Sequence, residues 1–255
     1  MRIILVVPNE PFYVSKNINY LINSLKKNKH LIVSCVLLSP SPYGRRESFF
    51  SKSIKVYNIF GINFFLYYGI NFIHQKFFSK SVKEILKSNN VNIIKLKDSI
   101  NKDSSILEIK EHKPDLIISV LANEIFKKDV LDLPTFGCIN LHTSLLPKFR
   151  GMMPTFWVLL KNEKYTGVTV FLMDDGVDTG PIISQRKILI REDMSQKELI
   201  IKTKKIGMEL LVECVEKIKI GKIKYIPNSK NHGTYFSFPT KDDVKIFLKN
   251  GKKFF

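Results

Sequence analysis

The chain has 255 residues, 44% of them hydrophobic, three cysteines and a formal charge of +18. That is enough for one large α/β domain, or one domain with a small appendage, and it excludes a disordered chain and a disulfide scaffold. Cys35, Cys138 and Cys214 lie far apart with no C-x-x-C pair, which points to a reduced, cytoplasmic setting. The basic residues are spread over 26–29, 76–87, 202–205, 217–224 and 249–253 rather than gathered in one block. The charge therefore reads as a compositional bias, and nucleic acid is not the expected partner.

The first element, Arg2 to Val7, reads as a strand, since MRIILVVPNE has too short an apolar run for a signal peptide. The loop Pro8 to Tyr13 follows, and Ile18, Leu21, Ile22 and Leu25 then recur at helical spacing. Leu31 to Leu38 is apolar except for Ser34, as expected for a strand covered on both faces. A loop rich in Ser, Pro and Gly comes next. From Val56 to Gln75 there is no Lys, Arg, Asp or Glu, but three Asn, two Gly, a His and a Gln interrupt the run. A buried strand-turn-helix is expected there, with a membrane-associated face as the alternative; neither a transmembrane span nor membrane contact is expected.

Phe77 to Leu86 predicts a continuing helix, Val91 to Leu96 a short strand, and Ser104 to His112 a helix stopped by Pro114. Leu116 to Leu121, Cys138 to Leu141, Gly167 to Met173 and Ile182 to Ile190 predict further strands. Strands alternating with helices imply a doubly wound, mostly parallel, Rossmann-like sheet, with its site beyond the carboxyl ends of the strands. Ser195 to Ile220 predicts one long amphipathic helix, followed by a tail with a last helix near Asp242 to Leu248. We divide the chain at 190, with residues 1–190 as the catalytic domain and 191–255 as a helix and tail packing on it. That tail either packs on the core or builds a homodimer contact.

Two motifs carry chemistry. INLHTSLLP begins as a strand and leaves it at Thr143, so Asn140 and His142, two residues apart, share a face near the strand's end. MDDGVDTGP, residues 173–181, follows the apolar strand VTVFLM and places three carboxylates within five residues. Those charges repel one another unless the loop holds them in different environments. An Asp beside a His orients the imidazole and stabilises its protonated form. An Asn amide can hold a developing oxyanion, and a His can take a proton from an attacking amine. Asn, His and Asp around one crevice thus suit acyl transfer to an amine from an activated donor. Cys138 reads as a buried structural thiol, and Asp174, Asp175 and Asp178 have the wrong spacing for an EF-hand, so no metal is expected.

Together, N-L-H-x-S-L-L-P and D-x-G-x-D-T-G-P resemble the formyltransferase family, which includes glycinamide ribonucleotide transformylase, methionyl-tRNA formyltransferase and the sugar N-formyltransferases. The resemblance covers roughly residues 1 to 190 and is strongest from Pro114 to Gln185. It implies N10-formyltetrahydrofolate as donor and a primary amine as acceptor. It also implies Asn140, His142 and Asp178 as the catalytic triad. Leu121, Ala122, Asn123, Glu124, Ile125 and Phe126 resemble the segment whose backbone holds the pterin, with Leu121, Ile125 and Phe126 packing on it. Asp174, Asp175 and Gly176 resemble the other wall, and Ser144 to Pro147 with Arg150 and Gly151 the border between donor and acceptor.

The acceptor is read by elimination within that resemblance. The loop after the first strand carries no glycine to cradle a phosphate, unlike the purine enzyme. The roughly 35 residues after the long helix are too few for an OB-type barrel, which argues against tRNA. A nucleotide-linked amino sugar of surface-polysaccharide synthesis is the expected acceptor, with Phe12, Tyr13, Met152, Met153, Phe156 and Trp157 on its side of the crevice. A tRNA formyltransferase with a reduced C-terminal part, and a hydrolase of the formyl donor, are the alternatives.

Overall fold

A computed structural model describes residues 1–10, 12–38, 48–122 and 124–255. In chain order the elements are β1 (Arg2–Pro8), α1 (Val14–Lys27), β2 (Leu31–Leu38), α2 (Phe49–Phe60), α3 (Ile62–Phe78), α4 (Val82–Ser88), β3 (Ile93–Ile94), α5 (Asp103–Glu111), β4 (Leu116–Val120), α6 (Lys128–Leu131) and β5 (Cys138–His142). They continue with β6 (Arg150–Gly151), α7 (Pro154–Leu160), β7 (Tyr165–Leu172), β8 (Ile182–Leu189), α8 (Gln196–Lys219), β9 (Tyr235–Phe236) and α9 (Lys241–Lys249).

Seven strands form one sheet in the order β3-β2-β1-β4-β5-β7-β8. β3, β2, β1, β4 and β5 pair in parallel, while β7 and β8 join antiparallel. The strand order reverses between β1 and β4, so a crevice opens at their carboxyl ends. Both faces of the sheet are covered, and β1 shows how. Ile3, Leu5 and Val7 pack with α1, α4 and α8, while Ile4 and Val6 pack with α5 and the segment around Phe126 and Val130. Successive side chains on a strand point to opposite faces, so a strand that is apolar at every position needs a helix layer on each.

A third apolar cluster lies beside the sheet. It joins Phe156 and Trp157 of α7, Phe247 of α9, Phe60 of α2 and Phe254 near the C-terminus. The 191–255 segment has no core of its own: Met208, Leu211, Cys214 and Val215 of α8 lie in the same cluster as Ile3 and Leu5.

Residues 56–75 differ from the expected buried strand-turn-helix. They form the end of α2 and most of α3, separated at Gly61, whose φ of +82° suits glycine. No residue of α3 is fully buried. The helix expected from Phe77 to Leu86 is broken at Ser79. A new one begins after Ser81, whose side chain and Glu84 form a reciprocal cap. Sequence reading overlooked α2, α7 and the two-residue pair β6–β9.

Candidate active site

Asn140 and His142 lie on β5, opposite Ser119 of β4 and Phe171 of β7 for the first, and Thr169 of β7 for the second. The His142 imidazole is buried, and Nε2 stands 2.7 Å from the Phe149 carbonyl. A carbonyl can only accept, so Nε2 carries the hydrogen and Nδ1 is left as the basic nitrogen. Nδ1 lies 3.5 Å from Asp178 Oδ2. The Asn140 Oδ1 atom is buried without a hydrogen-bond partner among the described residues. A buried polar atom left unpaired in a crevice marks a group that meets a ligand.

Asp178 is aimed at His142 by two backbone features. It adopts φ +53°, a left-handed conformation that Asp tolerates better than most residues. Its Oδ2 also accepts a 2.8 Å hydrogen bond from the Gly151 N–H. Gly151 has φ +91°, and a Cβ there would lie 2.3 Å from the Phe236 carbonyl oxygen of β9. Glycine is therefore what lets the chain reach Asp178 while β9 passes against it.

The remaining carboxylates of MDDGVDTGP are kept apart from Asp178. Asp174 Oδ1 accepts from the Gly176 N–H and the Thr179 hydroxyl, at 3.2 and 2.7 Å, and Asp175 is exposed. A Cβ on Gly180 would lie 1.8 Å from the Leu172 carbonyl oxygen, so the loop folds back onto β7 as closely as backbone allows.

The loop after His142 is fastened from beneath. Thr169 Oγ1 donates to the Ser144 carbonyl at 2.7 Å and accepts from the Leu146 N–H, while Gln185 Nε2 donates to the Leu146 carbonyl at 2.8 Å. The Leu146–Pro147 peptide is cis. From above, the C-terminal tail straps the site. Asn228 Nδ2 donates to the carbonyls of Asp178 and Gly180, both at 2.9 Å. The Thr234 hydroxyl accepts from Phe149 N–H, and its carbonyl accepts from Arg150 N–H. Thr169, Gln185, Asn228 and Thr234 escaped the sequence reading. Each acts by meeting a distant backbone, and a single polar residue in a strand or tail carries no local pattern.

Several expected ligand residues are engaged internally instead. Phe126 is wholly buried among the core side chains of β1, β4 and α5, so it packs on the core and not on a pterin. Glu124 accepts from the Ser99 hydroxyl and the Ile100 N–H, which ties the loop down. Ser144 is fully buried, its hydroxyl turned to the Lys148 and Phe149 carbonyls. Arg150 is buried, and its guanidinium grips Asn228 and the Ser229 carbonyl. Trp157 is buried against Phe236, with its indole N–H on the Ser237 carbonyl, and Phe156 is core. Met152 and Met153 are half-buried, the latter capping α7. Leu121 and Ile125 remain presented at the carboxyl end of β4, Ala122 half-buried between them, and Asn123 lies outside the described residues. That exposed apolar pair follows β4, the strand that pairs with β5, and fits a flat ligand. Cys138 is buried against the Val130 carbonyl, and burial pushes its thiol pKa up, so it stays protonated.

Beyond β1, Glu10 accepts from the N–H groups of Phe12, Tyr13 and Val14, at 2.6 to 2.9 Å. Its carboxylate thus occupies the N-terminus of α1, where a phosphate sits in many doubly wound folds. Burial raises the Glu10 pKa against those donors, and it pushes the Lys204 amine of α8 down to about 7. Phe12 and Tyr13 are half-buried, with Tyr13 bonded to the Tyr68 hydroxyl at 2.9 Å.

Comparison with known proteins adds the family. Residues 67–215, more than half of the chain, match the family described as Formyl transferase. The chain is 38% identical over 182 residues to methionyl-tRNA formyltransferase of Kosmotoga olearia, covering 71% of this chain and 58% of that protein. It spans about half the length of the curated relatives it matches. Among solved structures, the formyltransferase PseJ from Anoxybacillus kamchatkensis, in complex with UDP-4,6-dideoxy-4-formamido-L-AltNAc and tetrahydrofolate, is 32% identical. The match has a TM-score of 0.51 and covers 64% of this chain and 82% of that one. The N-formyltransferase from Helicobacter canadensis, solved with folinic acid and dTDP-3-aminofucose, has a TM-score of 0.60 at 18% identity, covers 92% of this chain and 70% of that one, and supports the fold.

Proposed function

The chain belongs to the formyl transferase family, and from that premise we propose that it moves a formyl group from N10-formyltetrahydrofolate to the primary amine of a nucleotide-linked amino sugar. The observation that carries the chemistry is the convergence of His142 Nδ1, Asp178 Oδ2 and the unpaired Asn140 oxygen at one end of β5. The donor supplies an activated one-carbon acyl group when bound. Its holders would be Leu121, Ala122, Ile125 and the Asp174–Gly176 turn.

His142 keeps its Nε2–H on the Phe149 carbonyl, so Nδ1 takes the proton that the acceptor amine loses as its nitrogen bonds to the formyl carbon. Asp178, 3.5 Å away, stabilises the imidazolium. Asn140 would donate its Nδ2–H to the formyl oxygen as negative charge gathers there, while its unpaired Oδ1 is free to accept from an N–H of the ligand. The same proton then passes to the departing donor nitrogen, which leaves His142 neutral for the next cycle.

Two observations support the sugar. Glu10 fills the α1 terminus, which argues against the purine enzyme's acceptor, whose phosphate would need that terminus. PseJ, 32% identical, was solved with a UDP-linked formamido sugar. The methionyl-tRNA relatives favour the second reading, initiator tRNA, together with the charge of +18. A mass-spectrometric screen separates the two. The protein is incubated with N10-formyltetrahydrofolate, a panel of nucleotide-linked amino sugars and aminoacylated initiator tRNA. One formyl group gained by a sugar is the expected result; formylation of the tRNA alone would overturn the assignment.

A further inference from the structure

Helix α3 carries apolar side chains on two faces, and the fold covers one of them. The inner stripe is aromatic. Phe64 stacks on Phe60 at 4.3 Å and meets the Phe254 ring at 4.9 Å, and Tyr68 reaches Tyr13 and Phe12. The outer stripe, Ile62, Leu66, Ile70, Ile73 and Phe77, recurs every three or four residues, as one face of a helix does. These five side chains are exposed to between 51% (Ile62) and 73% (Phe77). Ile54 and Tyr57 of α2 extend the patch at 45% and 48% exposure. Isolated exposed apolar residues need no explanation, whereas a continuous apolar helix face marks a surface that something covers.

Charge decides what covers it. The stripe itself, residues 56–78, holds one lysine, Lys76, and no Asp or Glu, and Lys80 and Lys83 follow it before Glu84. Lys76 and Lys80 are exposed beside Phe77 and Phe78 at the end of the stripe. A second copy on a twofold axis would bring each lysine rim toward its own image, while the nearby acid, Glu84, is already held in the α4 cap and each chain carries +18. An anionic bilayer accepts both features: apolar side chains enter the boundary between headgroups and acyl chains, and lysines reach the phosphates around it. Among the described residues no helix is long and apolar enough to cross a membrane, so the geometry is that of a helix lying on the surface.

We propose that the outer face of α2 and α3 docks this protein on an anionic membrane surface. Because the inner side of α3 holds Tyr68 against Tyr13 and Phe12, docking sets the wall of the crevice next to the lipid headgroups. The proposal rests on the patch and its charge alone, and its test needs no formyl transfer.

The test is co-sedimentation of the full chain with phosphatidylcholine vesicles and with vesicles that also contain phosphatidylglycerol. Binding to the anionic vesicles, weakened by salt and absent with phosphatidylcholine alone, is expected. The triple variant Leu66→Gln, Ile70→Gln, Ile73→Gln changes exposed side chains, so it should unfold at the parent temperature while its vesicle affinity falls at least about tenfold. Lys76→Ala with Lys80→Ala should weaken binding without removing it. Failure to bind anionic vesicles at low salt would overturn the proposal. So would binding that the triple variant leaves unchanged, which would reduce the effect to net charge. A concentration-dependent dimer abolished by the triple variant, with no vesicle binding, would assign the patch to a second copy instead.

Discussion

Asp178→Asn isolates charge from shape. The left-handed backbone at φ +53° suits Asn as well as Asp, so the substitution costs little there. The Gly151 N–H donates to Oδ2 at 2.8 Å, so the new amide must turn its oxygen to that position and keep the bond. His142 Nδ1, 3.5 Å away, then faces a neutral carbonyl instead of a carboxylate. At that distance and an effective dielectric of about 20, a unit pair is worth about 5 kcal/mol, and a charge-assisted hydrogen bond contributes roughly 1.5–3 kcal/mol net. The imidazolium that forms as the amine loses its proton should therefore lose about 3–5 kcal/mol, or ~10²- to 10⁴-fold in rate. Folding should change by less than about 1 kcal/mol, because the backbone and one hydrogen bond persist. The assay is single-turnover formyl transfer at saturating donor, with thermal unfolding alongside. Turnover within a few-fold of the parent would refute a role for the Asp178 charge, and a large fall in melting temperature would mean that the residue acts through structure.

His142→Ala should abolish transfer while leaving calorimetric binding of a folate analogue largely intact, since donor contacts fall on other loops; joint loss of both would show that the pocket is misplaced. Gly151→Ala puts a methyl group 2.3 Å from the Phe236 carbonyl. It should cost ~1–3 kcal/mol in denaturant unfolding and more than tenfold in turnover as Asp178 loses its donor; a stable, active variant would show that β9 yields freely. Lys204→Met removes a buried amine that has no hydrogen-bond partner among the described residues, and should stabilise the fold by roughly 1–3 kcal/mol at pH 7. The folded pKa of about 7 lies below the usual 10.4, so the unfolded state holds more protons between those values and the parent gains stability as pH rises through them. The advantage of the variant should therefore shrink toward pH 10, and parallel pH–stability curves would exclude this account.

Where chemistry follows local pattern, the sequence by itself determined it. The two-residue spacing of Asn140 and His142 requires a shared face on any strand, and the nearly continuous apolar runs of β1, β2 and β4, interrupted inside the strands only by Ser34 and Ser119, require a sheet covered on both sides. Ser195 and Glu198, three apart, specify the start of α8 as a capping box, and that helix matches its expected bounds closely. Tertiary structure alone decided which polar groups stay free for a ligand. Arg150, Ser144 and Trp157 have the chemistry of binding residues but are consumed by internal partners, at 228–237 for Arg150 and Trp157 and at the nearby Lys148 and Phe149 carbonyls for Ser144. It also decided where α3 stops being core. Twenty residues without a charge read as buried, because composition counts apolar groups and not the area available to cover them. Packing had partners for Phe64 and Tyr68, and none among the described residues for Ile70 and Phe77, which left the face that we assign to a membrane surface.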